Sequence, residues 1–292
     1  MTRPQPDGSR DLRIEDPSNL WLIHPAGRAL LPYALTLGVS ANAVSVSGLL
    51  LGAGAAVCYA RLDDWRFAIL GLLLSVGWLI ADGLDGMVAR ATGTASALGR
   101  FLDGVCDHGV FALIYIALAL RVGTPTGWLL AVVAGSAHAV QSSLYEGERA
   151  RFQRRAKGIA QPSIPVPKGN TLVRLYDTIA TSLDRAALSF ERRMSRDADP
   201  VAFGRAYADA AARVMRWMAW LTANVRVEAI FLACLLGAPQ LFWGFEIVVL
   251  SGVAFLTITR HRAVERRLAG ALPISRTVPG LASVFTKEQG HR

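Results

Sequence analysis

The chain has 292 residues, 52% of them hydrophobic, and a formal net charge of +9. Several apolar runs reach the length of about 20 residues that spans a bilayer, which excludes an ordinary soluble domain. The basic residues sit in alternate connections between those runs, which matches the positive-inside pattern and argues against nucleic-acid binding.

In chain order, residues 1–17 are polar and expected to be disordered, and no cleavable signal peptide is expected. Residues 18–38 mix apolar side chains with His24, Arg28 and Tyr33, interrupted by Pro25 and Pro32. That composition suits a helix lying along the membrane interface. Ser40 or Asn42 is placed to cap predicted span 1, which runs to Ala60. Span 2 is expected over Phe67–Ala89, span 3 over Ala97–Leu120 and span 4 over Gly127–Tyr145. Cys58, Cys106 and Cys234 all fall in apolar runs and show no disulfide or zinc spacing, so they read as packing residues.

A long basic connection follows, from Glu146 to Met215. Its opening arginines, Arg149, Arg151, Arg154 and Arg155, read as membrane-surface anchors. Apolar residues from Leu172 to Met194 recur at helical spacing, predicting an amphipathic helix over Thr171–Met194. A second amphipathic stretch, 201–215, leads into span 5 (Arg216–Leu236), and span 6 covers Leu241–Ile258. Such helices lie on the membrane surface or pack over the bundle, or form a lid. The expected fold is all-α: a polytopic membrane bundle of six transmembrane helices, an N-terminal interfacial helix and a helical cytoplasmic insert. Its divisions are 1–38, 39–145, 146–215, 216–259 and 260–292.

Of the 31 Lys and Arg, only Arg61, Arg66 and Arg121 lie in the odd-numbered connections, and Arg226 lies inside span 5. The others lie on one side, expected to be cytoplasmic together with both termini.

The densest chemistry lies between Asp82 and Asp107. Asp82 and Asp85 are i,i+3 on one helix face, and Asp103 and Asp107 are i,i+4 on another. A short small-residue turn joins the two helices, which are expected to be antiparallel neighbours with all four carboxylates converging. Such acids, packed at the ends of apolar helices, repel one another and lose hydration. Arg90 and Arg100 alone do not balance them, so a hard cation such as Mg2+, Mn2+ or Ca2+ is implied. Gly86, Ala89 and Gly99 are small residues one turn from the acids, leaving room for backbone and ligand to approach.

The pattern D-x2-D-G-x2-A-R-x8-G-x3-D-x3-D, filled at every fixed position here, resembles the signature of the CDP-alcohol phosphotransferases. Ser40-Ala-Asn42-Ala-Val-Ser45 is similar to the Thr-Pro-Asn-x-Val-Thr entry of that family's first membrane helix. The resemblance implies a membrane enzyme that passes the phosphoryl-alcohol part of a CDP-linked donor to a hydroxyl and releases CMP. It implies two Mg2+ or Mn2+ ions on Asp82, Asp85 and Asp103, with Asp107 as general base and a further metal contact. It implies a CDP site lined by Gly86, Ala89, Arg90 and Gly99, with Asn42 near the diphosphate. A homodimer is also implied, and the charge pattern leads us to expect the site on the cytoplasmic face of a bacterial inner membrane.

For the acceptor, His138, Ser142 and Glu146 form a polar stripe on span 4, with Gly135 leaving room beside it. Arg226, buried in span 5, is placed to grip a phosphate or carboxylate, or else to pair with Glu228 or a carbonyl in the bundle. These residues favour CDP-diacylglycerol as donor and a polar alcohol as acceptor. The reverse arrangement, a CDP-linked head group with diacylglycerol or ceramide as acceptor, is the alternative. An intramembrane prenyltransferase is a remoter one, because its acidic motifs lie on distant helices.

Overall fold

In the computed structural model, which describes residues 11–161 and 187–270, the apolar runs become helices and the polar turns become caps. A π-helical turn, Asn19–Ile23, leads into α1 (His24–Thr36). Side-chain oxygens then accept from the first free backbone N–H groups of each long helix. Ser40 starts α2 (Ala41–Tyr59), Asp64 starts α3 (Trp65–Thr92), Ser96 starts α4 (Ala97–Val122) and Thr124 starts α5 (Pro125–Ala156). Gly93, at φ 68°, closes α3 in the left-handed conformation that glycine adopts without strain. Its neighbour Ser96 caps the next helix, so the chain reverses within a few residues.

The second half comprises helical residues 187–195 (α6), α7 (Pro200–Met218), a 3-10 turn at Ala219–Leu221, α8 (Ala223–Leu235) and α9 (Pro239–Gly270). Predicted residues 171–186 of the amphipathic helix, and the tail beyond Gly270, lie outside the described residues.

Among the described residues, four helices are long and apolar enough to cross a membrane: α2, α3, α4 from Leu102, and α9. α7 with its 3-10 turn and α8, bent by 41°, make a fifth if the pair is one span. Predicted span 5 is therefore not a straight helix. Thr222 is extended, and its neighbour Asn224 bonds to the N-terminal segment. α5 is outside the set, because Gln141, Ser142 and Ser143 interrupt its apolar run.

One core joins α2, α3, α4 and α8 through Tyr59, Trp78, Val110, Ile114 and Ile230. α2 packs on both α3 and α4, whose own backbones stay apart. α3 and α4 meet through side chains such as Trp78 and Phe111, with ring centroids 5.2 Å apart, and α2 fills the angle between the two helices. Close approach depends on Gly52, where an added Cβ would lie 2.3 Å from Val110 Cγ2. Gly52→Ala is expected to destabilise the bundle by about 1–3 kcal/mol, read as a lower Tm in detergent. An unchanged Tm would show that α2 and α4 separate without cost.

A second core lies beyond the acid end of α5, where Phe152, Phe190, Met194, Tyr207 and Met215 meet. Residues 11–17 are ordered, contrary to expectation, because Ile14, 2% exposed, inserts into this core. Arg151, Arg154 and Arg155 are not surface anchors either. Arg155, 0% exposed, pairs with Glu191 at 2.8 Å and Glu265 at 2.5 Å. Arg154 also pairs with Glu191, at 2.5 Å, and Arg151 pairs with Glu148 at 2.7 Å. Burial pushes the Glu148 carboxyl up, but His261, Arg151 and Arg262 outweigh it and hold it below the usual carboxylate range. The described part of the insert thus packs over the bundle, tied to α5 and α9 by buried ion pairs.

Candidate active site

Asp82 and Asp85 stand on the last turns of α3, and Asp103 and Asp107 on the first turns of α4. One oxygen each from Asp82, Asp85 and Asp103 lies within 4.8 Å of the others. Asp107 is within hydrogen-bonding reach of Asp82 and accepts from Trp78 Nε1 at 3.1 Å. Asp85 accepts from Ser45 Oγ of α2 at 2.5 Å. The four acids do converge, held by neighbours from α2 and α3. Three carboxylates this close form a hard-oxygen donor set that fits Mg2+ or Mn2+ and would repel one another without it.

A cleft of ≈ 920 Å³ opens beside the acids and is lined by all four of them. Gly86, Ala89, Arg90, Gly99 and Asn42 line its other part. The Arg90 guanidinium lies over Gly86, where an added Cβ would meet Nη1 at 3.2 Å. At Gly99 an added Cβ would meet Ser96 Oγ at 3.2 Å and Asn42 Oδ1 at 3.7 Å. Ser40 Oγ, not the Asn42 side chain, caps α2 by accepting from Ala43 N–H. Asn42 is therefore free of the cap and faces the glycine at the start of α4.

The acceptor candidates separate. His138 and Ser142 line the cleft. His138 is 5% exposed, its ring centroid 4.2 Å from that of Phe111 and its Nδ1 3.5 Å from the Tyr115 hydroxyl. Arg226 does not line the cleft. It is 0% exposed and pairs with Glu246 of α9 at 3.0 Å, not with Glu228. Its other N–H groups donate to Gln141 Oε1 at 2.8 Å and to the Leu221 carbonyl. The buried Glu246 carboxylate opposite Arg226 occupies the guanidinium that a substrate would need. Arg226→Met leaves Glu246 buried and unpaired, so it is expected to cost about 3–5 kcal/mol of stability. Adding Glu246→Leu should recover most of the Tm, whereas a substrate-binding arginine would show as a raised acceptor KM that the double variant keeps.

Several cleft residues were not anticipated: Asn19, His24, Arg149, Thr222 and Asn224. The N-terminal segment is held at the cleft by Asn224 Nδ2, which donates to Ser18 Oγ at 2.6 Å and Asn19 Oδ1 at 2.9 Å. Two signals were present in the chain. Arg149 continues the stripe of His138, Ser142 and Glu146 by one further turn. Thr222 and Asn224 are polar residues at an apolar helix start.

The family described as CDP-alcohol phosphatidyltransferase matches residues 38–183, half of the chain and the whole acid motif. The chain belongs to this family. CDP-alcohol phosphatidyltransferases are membrane enzymes that use divalent metal ions, and the apolar helices here are those of an integral membrane protein. Cholinephosphotransferase 1 of Gallus gallus is 31% identical over 112 residues, covering 37% of this chain and 32% of the relative. Archaetidylinositol phosphate synthase of Pyrococcus horikoshii is 34% identical over 85 residues, covering 29% of this chain and 43% of the relative. The matched part thus spans less than half the length of either relative. No solved structure matches.

Proposed function

We propose that the protein transfers the phosphoryl-alcohol part of a CDP-linked donor, CDP-diacylglycerol, to the hydroxyl of a polar acceptor and releases CMP. The observation behind this reading is the acid cluster itself: three carboxylates within 4.8 Å, with Asp107 beside them, on the wall of a cleft that Gly86 and Gly99 also line. Asp82, Asp85 and Asp103 would hold Mg2+ or Mn2+, two ions by the family pattern. Bound metal would neutralise the diphosphate and stabilise CMP as it leaves.

The remaining work belongs to side chains. Gly86, Ala89 and Gly99 admit the nucleotide, with Arg90 and Asn42 on its phosphates. Asp107 accepts the proton of the acceptor hydroxyl as its oxygen bonds to the β-phosphorus and the bond to CMP breaks. The Trp78 N–H orients Asp107, and Ser45 orients Asp85. His138 and Ser142 face the acceptor, with Arg149 and Asn224 further along the cleft. That polar end favours a polar acceptor. The cholinephosphotransferase likeness supports the second reading, a CDP-linked head group and a lipid acceptor.

The proposed topology has six spans: α2, α3, α4, the apolar part of α5, α8 with its lead-in, and the apolar part of α9. The divisions drawn from the sequence follow it, with residues 146–215 as a cytoplasmic insert. Exposed Trp21, Leu22, Leu30 and Tyr33 support an interfacial position for α1 and the turn before it. The basic connections favour a cytoplasmic acid end, in a bacterial inner membrane. A homodimer follows the family pattern, and light scattering of the purified protein tests it.

The deciding assay is CMP release by purified protein with Mg2+ or Mn2+. CDP-diacylglycerol is offered with glycerol phosphate, inositol, inositol phosphate or serine, and CDP-choline or CDP-ethanolamine with diacylglycerol or ceramide. Acceptor-dependent, EDTA-sensitive CMP from the first set supports the reading. CMP from the second set alone replaces it with the alternative, and none from either withdraws it.

A further inference from the structure

A groove of ≈ 260 Å³ lies between α4 and α5, beside the active-site cleft. His108, Phe111 and His138 line both spaces, so the groove continues the cleft. His108 follows the candidate base Asp107 directly, which puts the junction at the reacting end. Beyond it the walls are apolar: Ala112 and Ile116 from α4, and Trp128, Val132 and Gly135 from α5. Ile116, Trp128 and Val132 are exposed, so the groove is open sideways.

Position along α5 sorts the two spaces. The ten positions from His138 back to Trp128 cover about 15 Å at 1.5 Å per residue, through the apolar part of the helix. Ser142, Glu146 and Arg149 lie the other way and line only the cleft. A polar group and an apolar chain meeting at His138 would therefore leave in opposite directions. Gly135 keeps the apolar side open, because an added Cβ would meet only Tyr115 Cδ2 at 3.8 Å and a longer side chain would enter the groove. An apolar space at membrane depth has no polar groups to hold water and accepts hydrocarbon.

We propose that this α4/α5 groove is the subsite for an acyl chain of the CDP-diacylglycerol donor, entered laterally from the bilayer. The proposal rests on the donor reading given above. The chain anchors the lipid while its diphosphate lies at Asp82, Asp85 and Asp103. Polar acceptor and lipid then approach from opposite ends of α5.

The test compares dioleoyl and dibutyryl CDP-diacylglycerol as donors for wild type, Gly135→Leu and Val132→Trp in detergent micelles. Both variants should lower kcat/KM for the dioleoyl donor by about tenfold, chiefly through KM, and change the dibutyryl value by less than about twofold. This is the loss of roughly one to two apolar contacts' worth of discrimination. Val132 faces outward, so its variant keeps the test informative if Gly135→Leu fails to fold. Equal losses with both donors, or none with the dioleoyl donor, overturn the proposal.

A binding readout separates it from the activity reading. CDP-diacylglycerol carrying a diazirine in one acyl chain should label peptides containing Ile116 or Val132. Excess dioleoyl CDP-diacylglycerol should compete, and dioleoyl phosphatidylcholine should not. Equal competition by both means annular lipid only and overturns the proposal. Labelling competed by diacylglycerol, with CMP formed only from a CDP-linked head group, assigns the groove to the acceptor's chain and overturns the donor assignment. Specific labelling with no CMP from any donor keeps the groove and removes the catalytic reading alone.

Discussion

Asp107→Asn is expected to lower kcat for CMP release by at least about a hundredfold, the lower end of what a positioned general base contributes. The substitution is nearly isosteric, and an Asn carbonyl still accepts from Trp78 Nε1, now 3.1 Å from the carboxylate. The side chain keeps its place but no longer takes a proton. Donor affinity should therefore stay within about threefold while turnover falls, the pattern of an interaction made only in the transition state. CMP release under saturating donor measures the first quantity, and equilibrium binding of the CDP-linked donor measures the second. Activity within tenfold of wild type would move the proton to another group, with His138 the next to test.

The larger effect is expected at the metal ligands. Asp85→Ala and Asp103→Ala each remove one of the three oxygens that lie within 4.8 Å of one another. Loss of several kcal/mol of charge stabilisation corresponds to about a thousandfold or more in rate. Mn2+ binding followed by electron paramagnetic resonance should weaken in parallel, and EDTA should silence the wild type. Stability should move the other way. Removing one of several crowded, poorly hydrated carboxylates relieves repulsion, so the metal-free variants should show a higher Tm than metal-free wild type. A metal-free Tm that falls would mark the acids as structural, and wild-type Mn2+ affinity in both variants would remove them as ligands.

Predicted spans 1, 2, 3 and 6 and the four acids were legible because their signals are local. Helical periodicity places Asp82 beside Asp85, and Asp103 beside Asp107, before any tertiary contact forms. Ser40 marks a helix start through its own short-range chemistry, and the structure uses it in that way. The small residues of the acid stretch likewise announced a space, and the cleft lies there.

Pairing across long separations was not legible. Arg226 looked like a substrate ligand because a lone buried cation invites one, and its partner Glu246 sits on another helix. Arg155 and Glu265 are 110 positions apart, and Asn224 and Ser18 are 206 apart. Nothing in a local pattern selects one acid over another at such distances. The choice follows from which helices pack together and which side chains lose water in doing so. Periodicity and hydropathy, written in the chain, determined α2, α3, α4 and α9 and the acid pairs. Burial and packing, which exist only once the helices assemble, decided that α2 fills the angle between α3 and α4, that the N-terminal segment borders the cleft, and which arginines are spent on ion pairs.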